Sequence, residues 1–194
     1  SFEQSDSLNF PPENAIVCYG SSSMRGWHDS ISVDLAPLTL IPRGFGGSNM
    51  NDALYYSERM ILNYKPRALL LYEGDNDIGD DIPPITILNK FEQFISKVHK
   101  SLPQCRIYVL AIKPSLRRWH QWDNMKLANK LLHEACSSNE KLYFIDIASI
   151  MLNEEGAPKE EIFLPDSLHM NRKGYLLWRD AVRPILVNNE MVYE

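Results

Sequence analysis

The chain has 194 residues, a formal net charge of −5, and 44% hydrophobic against 23% charged residues. This composition excludes a disordered or fibrous chain, and the length fits a single domain, residues 1–194. The mildly negative charge gives no electrostatic reason to expect nucleic acid as a partner, and no apolar run approaches the ~20 residues of a transmembrane segment. Residues 1–12 are polar and contain prolines, which predicts an extended N-terminal arm.

Five short apolar runs predict strands that are covered on both faces, as in a parallel sheet, because none of them alternates apolar with polar residues. These runs are residues 15–19, 38–41, 68–72, 106–112 and 142–147. Helical character is seen at residues 50–64, 85–102, 123–135 and 171–187, and we expect Pro184 to bend or end the last helix. The alternation predicts the α/β class, as a three-layer α/β/α sandwich around a five-stranded parallel sheet.

Chemically distinctive residues follow four of the five predicted strands. They are Gly20 to Ser23 after the first strand, Arg43 to Ser48 after the second, Glu73 to Asp77 after the third, and Asp166 to His169 beyond the fifth. Binding sites in parallel sheets form at the edge where the carboxyl ends of the strands meet. We therefore predict that these four segments form one site.

A serine, a histidine and an aspartate in these segments are candidates for nucleophilic catalysis. A serine hydroxyl needs a base within hydrogen-bond reach, and the base needs an orienting group. Asp166 and His169 are three residues apart, so the carboxylate can bond one imidazole nitrogen while the other nitrogen faces Ser22. His120 is the second candidate for the base. The run of three serines leaves Ser21 and Ser23 as alternatives to Ser22.

Acyl transfer also needs hydrogen-bond donors aimed at the oxyanion. Three donors are available in the same segments. Gly46-Gly47 can present a backbone N–H without side-chain obstruction, Asn76 can offer its side-chain amide, and the Ser22 N–H lies at a predicted helix start. We predict an oxyanion hole made by the Ser22 N–H, an N–H of Gly46-Gly47 and the Asn76 amide.

Taken together, these segments resemble the four sequence blocks of the SGNH hydrolases, also called GDSL-type esterases and lipases. The matching segments are VCYGSSS at 17–23, RGFGGS at 43–48, Gly74-Asp75-Asn76, and Asp166-Ser167-Leu168-His169. The layout is similar to small single-domain acyl esterases such as the platelet-activating-factor acetylhydrolase catalytic subunits. One position departs from the family pattern, because Ser21 stands where the family has an aspartate.

The resemblance implies the flavodoxin-like SGNH hydrolase fold and a serine esterase. Ser22 would be the nucleophile, His169 the base and Asp166 its orienting acid, acting on short-acyl carboxylic esters through an acyl-enzyme. Gly47 would be the oxyanion glycine and Asn76 the oxyanion asparagine. It implies a small-molecule ester substrate and no metal or organic cofactor. A carbohydrate O-acetyl esterase or a thioesterase of the same fold stays an alternative. A non-catalytic flavodoxin-like ligand-binding module and an inactive relative are the rivals outside this activity.

Two further segments attract attention. The stretch from Lys113 to Trp122 is rich in arginine and tryptophan, and it is either a surface loop or a wall of the substrate pocket. We name Trp27, Arg118 and Trp119 as candidate pocket residues. The acidic stretch 75–81 fails the spacing of a calcium-binding EF-hand loop, so we interpret it as a solvated loop.

The remaining features give weaker indications. Cys18 and Cys105 lie in or beside apolar runs, and no cysteine spacing suggests a zinc site, so we interpret them as buried apolar residues. The sequence leaves open a homo-oligomer. It also leaves open the compartment, which could be the cytoplasm or, after removal of an upstream segment, an exported location.

Overall fold

A parallel sheet lies at the centre of the molecule. The computed structural model describes residues 2–194, and Ser1 lies outside the described residues. Within that range there are five strands: β1 Ile16–Gly20, β2 Leu40–Gly44, β3 Ala68–Tyr72, β4 Arg106–Leu110 and β5 Leu142–Ile145. Their order in the sheet is β2-β1-β3-β4-β5, and every neighbouring pair is parallel. The predicted five-stranded parallel sheet is confirmed.

Helices cover both faces of this sheet. The α-helices within residues 2–194 are α1 Phe2–Leu8, α2 Ser22–Asp34, α3 Met50–Met60, α4 Asp75–Gly79, α5 Pro84–Ser101, α6 Trp122–Ser137 and α7 Arg172–Glu190. One buried cluster joins alternate strand residues such as Val17 and Leu69 to α3, α5 and α6. The opposite residues, such as Cys18 and Leu70, pack against α2 and α7. The three-layer α/β/α sandwich is therefore confirmed.

The expected extended arm at residues 1–12 is wrong for its first part. Phe2 to Leu8 form the helix α1, and only the residues after it are extended or turn-like. Long-range contacts stabilise this helix, since Asp6 accepts hydrogen bonds from Arg43 and from the hydroxyl of Tyr64. The polar composition of residues 1–12 did not predict this helix, because its partners Arg43 and Tyr64 lie far along the chain.

Two other local expectations need correction. The helix α2 begins at Ser22, where a helix start was predicted, but its extent was not predicted, because glycine and serine interrupt its apolar residues. The last helix does not end at Pro184, since α7 continues to Glu190, and a bend at Pro184 stays a prediction. Packing of the apolar face of α7 against the sheet, through Val182 and Leu186 among others, outweighs the loss of one backbone hydrogen bond at the proline.

None of the helices within residues 2–194 is long and apolar enough to cross a lipid bilayer.

The strand bounds shift by up to three residues from the predicted runs; for example, β4 ends at Leu110 rather than at residue 112. The loops that follow β1, β2 and β3 all begin at the same edge of the sheet.

Candidate active site

Ser22 is the first residue of α2, directly after β1. Ser21 is the N-cap but makes no side-chain capping bond, so the first N–H groups of α2 are not satisfied by a cap. The turn is fixed by its backbone instead, since Ser21 N–H donates to the carbonyl of Tyr72 at 3.1 Å and Phe45 N–H donates to that of Gly20 at 2.9 Å. These bonds join the ends of the first three strands and hold Ser22 half-buried at the sheet edge.

Ser22 forms the only serine–histidine hydrogen bond at this edge within residues 2–194. Its Oγ lies 2.9 Å from Nε2 of His169. The neighbouring serines are placed differently: Ser23 is buried and its carbonyl accepts from the Tyr175 hydroxyl, while Ser21 is buried at the cap. Of the three consecutive serines, the structure brings only Ser22 to the predicted base.

The segment Asp166 to His169 forms a tight turn that closes on itself. Asp166 Oδ2 lies 2.6 Å from His169 Nδ1, and Oδ1 accepts from the backbone N–H groups of Leu168 and His169 at 3.0 and 2.9 Å. Ser167 takes a positive φ of 61° in the middle of the turn. The backbone N–H groups of the turn therefore fix the Asp166 carboxylate, and the carboxylate in turn orients the imidazole of His169.

The protonation of this turn sets the direction of the hydrogen bonds. The hydrogen bond with His169 lowers the pKa of Asp166 to about 2, with help from the two backbone N–H groups. An ionised carboxylate only accepts, so His169 Nδ1 carries the proton and donates it to Asp166. In the neutral ring Nε2 then has a free lone pair, and the Ser22 hydroxyl donates to it.

Gly47 lies in the turn after β2. Its φ of 81° is in the left-handed region, which favours glycine, and a Cβ there would meet no atom within 4 Å. The residue is exposed, and its N–H has no acceptor among residues 2–194. The turn is tied down by the next residue, because the hydroxyl of Ser48 donates to the buried Glu73 at 2.6 Å.

Asn76 lies in the first turn of α4, directly after β3. Its Nδ2 donates to the carbonyl of Ser48 at 2.8 Å, which joins the loop after β3 to the loop after β2. The structure thus brings together the loops that carry Ser22, Gly47 and Asn76. It also brings His169 to Ser22 from the far end of the chain.

The candidate pocket residues have different placements. Trp27 is fully buried, donates from Nε1 to Asp34 at 2.7 Å and packs against Trp178, so its prediction as a pocket residue is wrong. Its place in α2 puts it five residues after Ser22, on the face that packs on α7. Trp119 is 37% exposed and stacks on Trp122, and its role in a pocket stays a prediction.

Arg118 lies beside the site but is not a free surface arginine. Its guanidinium donates to Asp75 and to the Oδ1 of Asn76, and the side chain is 17% exposed. His120, the second candidate for the base, is exposed in a single 3₁₀ turn and makes no hydrogen bond to Ser22.

The interpretation of residues 75–81 as a solvated loop is wrong. Asp75 to Gly79 form α4, in which Asp75 and Asp77 are buried. Asp77 accepts from the Met50 N–H at the start of α3, at 3.0 Å. Asp75 and Asp77 therefore have partners inside the fold, although the acidic run as a whole suggested an exposed segment.

Asp75 is a buried carboxylate that forms ion pairs with two cationic side chains. Its side chain is 5% exposed and contacts Lys113 Nζ at 2.7 Å and Arg118 Nη1 at 2.6 Å. Burial alone would raise the pKa of Asp75, but the charges of Lys113 and Arg118 outweigh it and leave the pKa below its usual value. The sequence analysis missed this cluster. One signal could have found it, because Lys113 follows β4, the neighbour of the strand that precedes Asp75.

The cysteines are placed as expected. Cys18 and Cys105 are buried, as predicted, and Cys136 is also buried; all three are free thiols. Burial raises the pKa of each thiol, to about 12 for Cys105 and Cys136. Among residues 2–194 there is no group of three His, Cys, Asp or Glu side chains that could hold a metal ion.

Comparison with known proteins adds to this geometry. The model of the GDSL-like Lipase/Acylhydrolase family matches residues 12–177 of the chain. The chain belongs to this family. Its resemblance to the SGNH hydrolases, also named for the GDSL motif, is thereby confirmed, and the protein is a hydrolase of the esterase type. Comparison with curated protein sequences finds no match.

Solved structures show the same fold at low sequence identity. A GDSL-like lipase from Bacteroides thetaiotaomicron superposes with a TM-score of 0.80 and 16% identity, covering 97% of this chain and 96% of that one. A lipase/acylhydrolase from Enterococcus faecalis superposes with a TM-score of 0.69 and 18% identity, covering 91% of this chain and 96% of that one. A carbohydrate esterase family 3 protein from Talaromyces cellulolyticus superposes with a TM-score of 0.64 and 15% identity, covering 90% of this chain and 97% of that one.

Proposed function

We propose that this family member is a serine esterase that hydrolyses short-acyl carboxylic esters. The observation that carries the proposal is the series of hydrogen bonds from Ser22 Oγ to His169 Nε2 at 2.9 Å and from His169 Nδ1 to Asp166 Oδ2 at 2.6 Å. Such a series makes a serine hydroxyl nucleophilic at neutral pH.

In the proposed reaction, Ser22 Oγ attacks the ester carbonyl carbon while its proton passes to His169 Nε2. The oxyanion that forms accepts hydrogen bonds from the N–H groups of Ser22 and Gly47 and from the Asn76 amide. The C–O bond to the alcohol then breaks, and the imidazolium donates its proton to the departing alkoxide. Water, activated by the same imidazole, attacks the acyl-enzyme, releases the carboxylic acid and restores the Ser22 hydroxyl.

The exposure of the site favours a short acyl group. The side chains of His169 and Asp166 are 35% and 40% exposed, and Gly46 and Gly47 are also exposed. Trp27, which was a candidate residue of the substrate pocket, lies in the core instead. A longer acyl chain therefore finds little apolar surface to cover, and each added CH₂ should contribute far less than the ~0.8 kcal/mol of a fully buried one.

A serine-directed fluorophosphonate probe tests the nucleophile. We expect the folded wild type to be labelled at Ser22 and Ser22→Ala to be unlabelled. Ser21→Ala is the matched control, since it changes the neighbouring serine and should be labelled like the wild type. Absence of labelling in the folded wild type would contradict the esterase and favour the non-catalytic ligand-binding module.

A series of p-nitrophenyl esters from acetate to octanoate tests the acyl preference. We expect kcat/KM to be flat or to fall as the chain lengthens. A rise of about fourfold for each added CH₂, which is what full burial would give, would contradict the short-acyl proposal. Acetylated sugars and an acetyl thioester measured beside the series would distinguish the carbohydrate esterase and the thioesterase.

A further inference from the structure

The side-chain amide of Asn76 lies between two neighbours of opposite hydrogen-bonding character. Its Nδ2 donates to the carbonyl of Ser48 at 2.8 Å, and its Oδ1 accepts from Arg118 Nη2 at 3.1 Å. A carbonyl oxygen only accepts and a guanidinium only donates. A reversed amide would therefore lose both bonds. In the orientation that satisfies both neighbours, one N–H of Nδ2 has no acceptor among residues 2–194.

The guanidinium of Arg118 is fixed in turn by Asp75. Nη1 donates to the carbonyl oxygen of Asp75 at 2.9 Å and to its Oδ1 at 2.6 Å. The planar fork thus makes three hydrogen bonds with two consecutive residues of α4, a geometry that a lysine ammonium does not reproduce. The other carboxylate oxygen accepts from the fully buried Lys113 at 2.7 Å. Arg118 therefore has little freedom to leave Asn76.

Gly79 provides the space for this arrangement. A Cβ at this position would lie 2.6 Å from the Cζ, Nε and Nη2 atoms of Arg118. The guanidinium is held by its hydrogen bonds, so it cannot move aside without losing some of them. Residues three and four apart are neighbours on a helix surface, and α4 thus presents Asp75, Asn76 and Gly79 to the same side chain.

We propose that Arg118 is a positioning residue of the oxyanion hole. It holds the amide of Asn76 in the one orientation that leaves an N–H free for the substrate oxygen, and it does not touch the substrate. The inference rests on the proposed function, in which Asn76 binds the oxyanion. It assigns a task to a residue that the sequence suggested only as a wall of the pocket.

Hydrolysis of p-nitrophenyl acetate by four proteins tests the proposal: wild type, Arg118→Met, Asn76→Ala and the double variant. Loss of an oxyanion donor costs about 10²–10³ in kcat, and a donor left free to rotate should lose part of that. We expect Arg118→Met to lower kcat about 10- to 100-fold with little change in KM. In the Asn76→Ala background the same substitution should change kcat by less than about twofold, because its target is gone.

Two further variants keep the result interpretable. Gly79→Ala leaves Arg118 intact but displaces its guanidinium, so it should lower kcat in the wild type and not in Asn76→Ala. We expect Arg118→Met to fold, because Lys113 still neutralises Asp75 in it. If Arg118→Met nevertheless fails to fold, the two kcat measurements on Gly79→Ala test the role of Arg118 in its place. Arg179→Met removes the same type of side chain from the exposed surface of α7, where its partner is Asp180, and should leave kcat unchanged.

Equal losses from Arg118→Met in both backgrounds would overturn the proposal, because Arg118 would then act independently of Asn76. A rise in KM with unchanged kcat would also overturn it and would indicate direct binding of substrate. If the wild type shows no hydrolysis that depends on Ser22, the proposed function fails and this inference with it. If that hydrolysis is present and the losses are additive, only the inference fails.

Discussion

The turn from Asp166 to His169 and the helix α4 hold their functional side chains by different kinds of contact. In the turn the partners are three residues apart, and the side chains of Asp166 and His169 are 40% and 35% exposed. At α4 the charged partners of Asp75 and Asn76 are Lys113 and Arg118, which lie 38 to 43 positions along the chain, and Lys113 is fully buried. The first is held by local backbone geometry, whereas the second depends on the completed fold.

The comparison predicts different failures. Damage to the turn should remove the chemistry and leave the fold intact, because the turn is exposed and makes its own hydrogen bonds. Damage to the buried cluster should cost stability, because an ion pair that loses one partner leaves a charge without solvent or counter-charge. The substitutions below separate the two.

The largest effect is expected from His169→Ala. It removes the base that takes the proton from Ser22, and kcat should fall on the order of 10⁵–10⁶-fold with the thermal unfolding temperature nearly unchanged. The matched control is His120→Ala, because His120 is the second candidate for the base, is exposed, and makes no hydrogen bond to Ser22. Loss of activity in His120→Ala but not in His169→Ala would reverse the assignment of the base.

Asp166→Asn should lower kcat/KM by about 10⁴-fold. An asparagine oxygen can still accept from the N–H groups of Leu168 and His169, so the turn is kept. Its NH₂ group, however, faces His169 Nδ1 and favours the tautomer that carries the proton on Nε2, which cannot accept from Ser22. Circular dichroism should show a native fold, and a variant with near-normal activity would remove Asp166 from the mechanism.

The pH profile checks the same pair in the wild type. The pKa of Asp166 is about 2, below its usual 3.8, so its carboxylate is ionised in the folded protein above about pH 4. Its contribution to stability is thus fully present above pH 4 and is lost as the pH falls through 2. Between pH 4 and 8 we therefore expect no step in log kcat/KM that belongs to the Asp166 carboxyl. A titration that places the ionisation of Asp166 within that range would contradict the assignment.

Lys113→Met tests the buried side of the comparison. Asp75 keeps Arg118 but loses its fully buried partner, and the free energy of unfolding should fall by about 3 kcal/mol in urea denaturation. The control is Lys126→Met, which breaks the exposed pair with Asp123 and should change stability by less than about 1 kcal/mol. Equal effects of the two substitutions would show that burial does not distinguish the pairs.

The smallest effect is expected from Ser21→Ala. Ser21 stands where the family has an aspartate, and its side chain makes no capping bond to α2. The turn is held by the bond from Ser21 N–H to Tyr72, which an alanine also makes. Esterase activity should stay within about twofold of the wild type. A larger loss would mean that the hydroxyl supports the turn in a way the hydrogen bonds do not reveal.

The sequence predicted the parts of the site that depend on local spacing and strand ends. The Asp166–His169 pair follows from a three-residue interval, and Gly47 and Asn76 follow from their place after strands. The cluster of Asp75, Lys113 and Arg118 could not be read from spacing alone, because its members come from separate loops and meet only when β3 and β4 pair. Trp27 was misplaced for a related reason: the face that α2 buries depends on α7, which is far along the chain.

The exposure of His169 and Asp166 has a consequence for the fate of the acyl group on Ser22. In the proposed reaction nothing has to open before water reaches the acyl-enzyme. The same openness admits other nucleophiles, and an added alcohol would compete with water in proportion to its concentration and reactivity. The proposed acyl-enzyme would therefore transfer its acyl group to alcohols where these are abundant. In dilute aqueous solution hydrolysis would dominate, because water is then the main nucleophile.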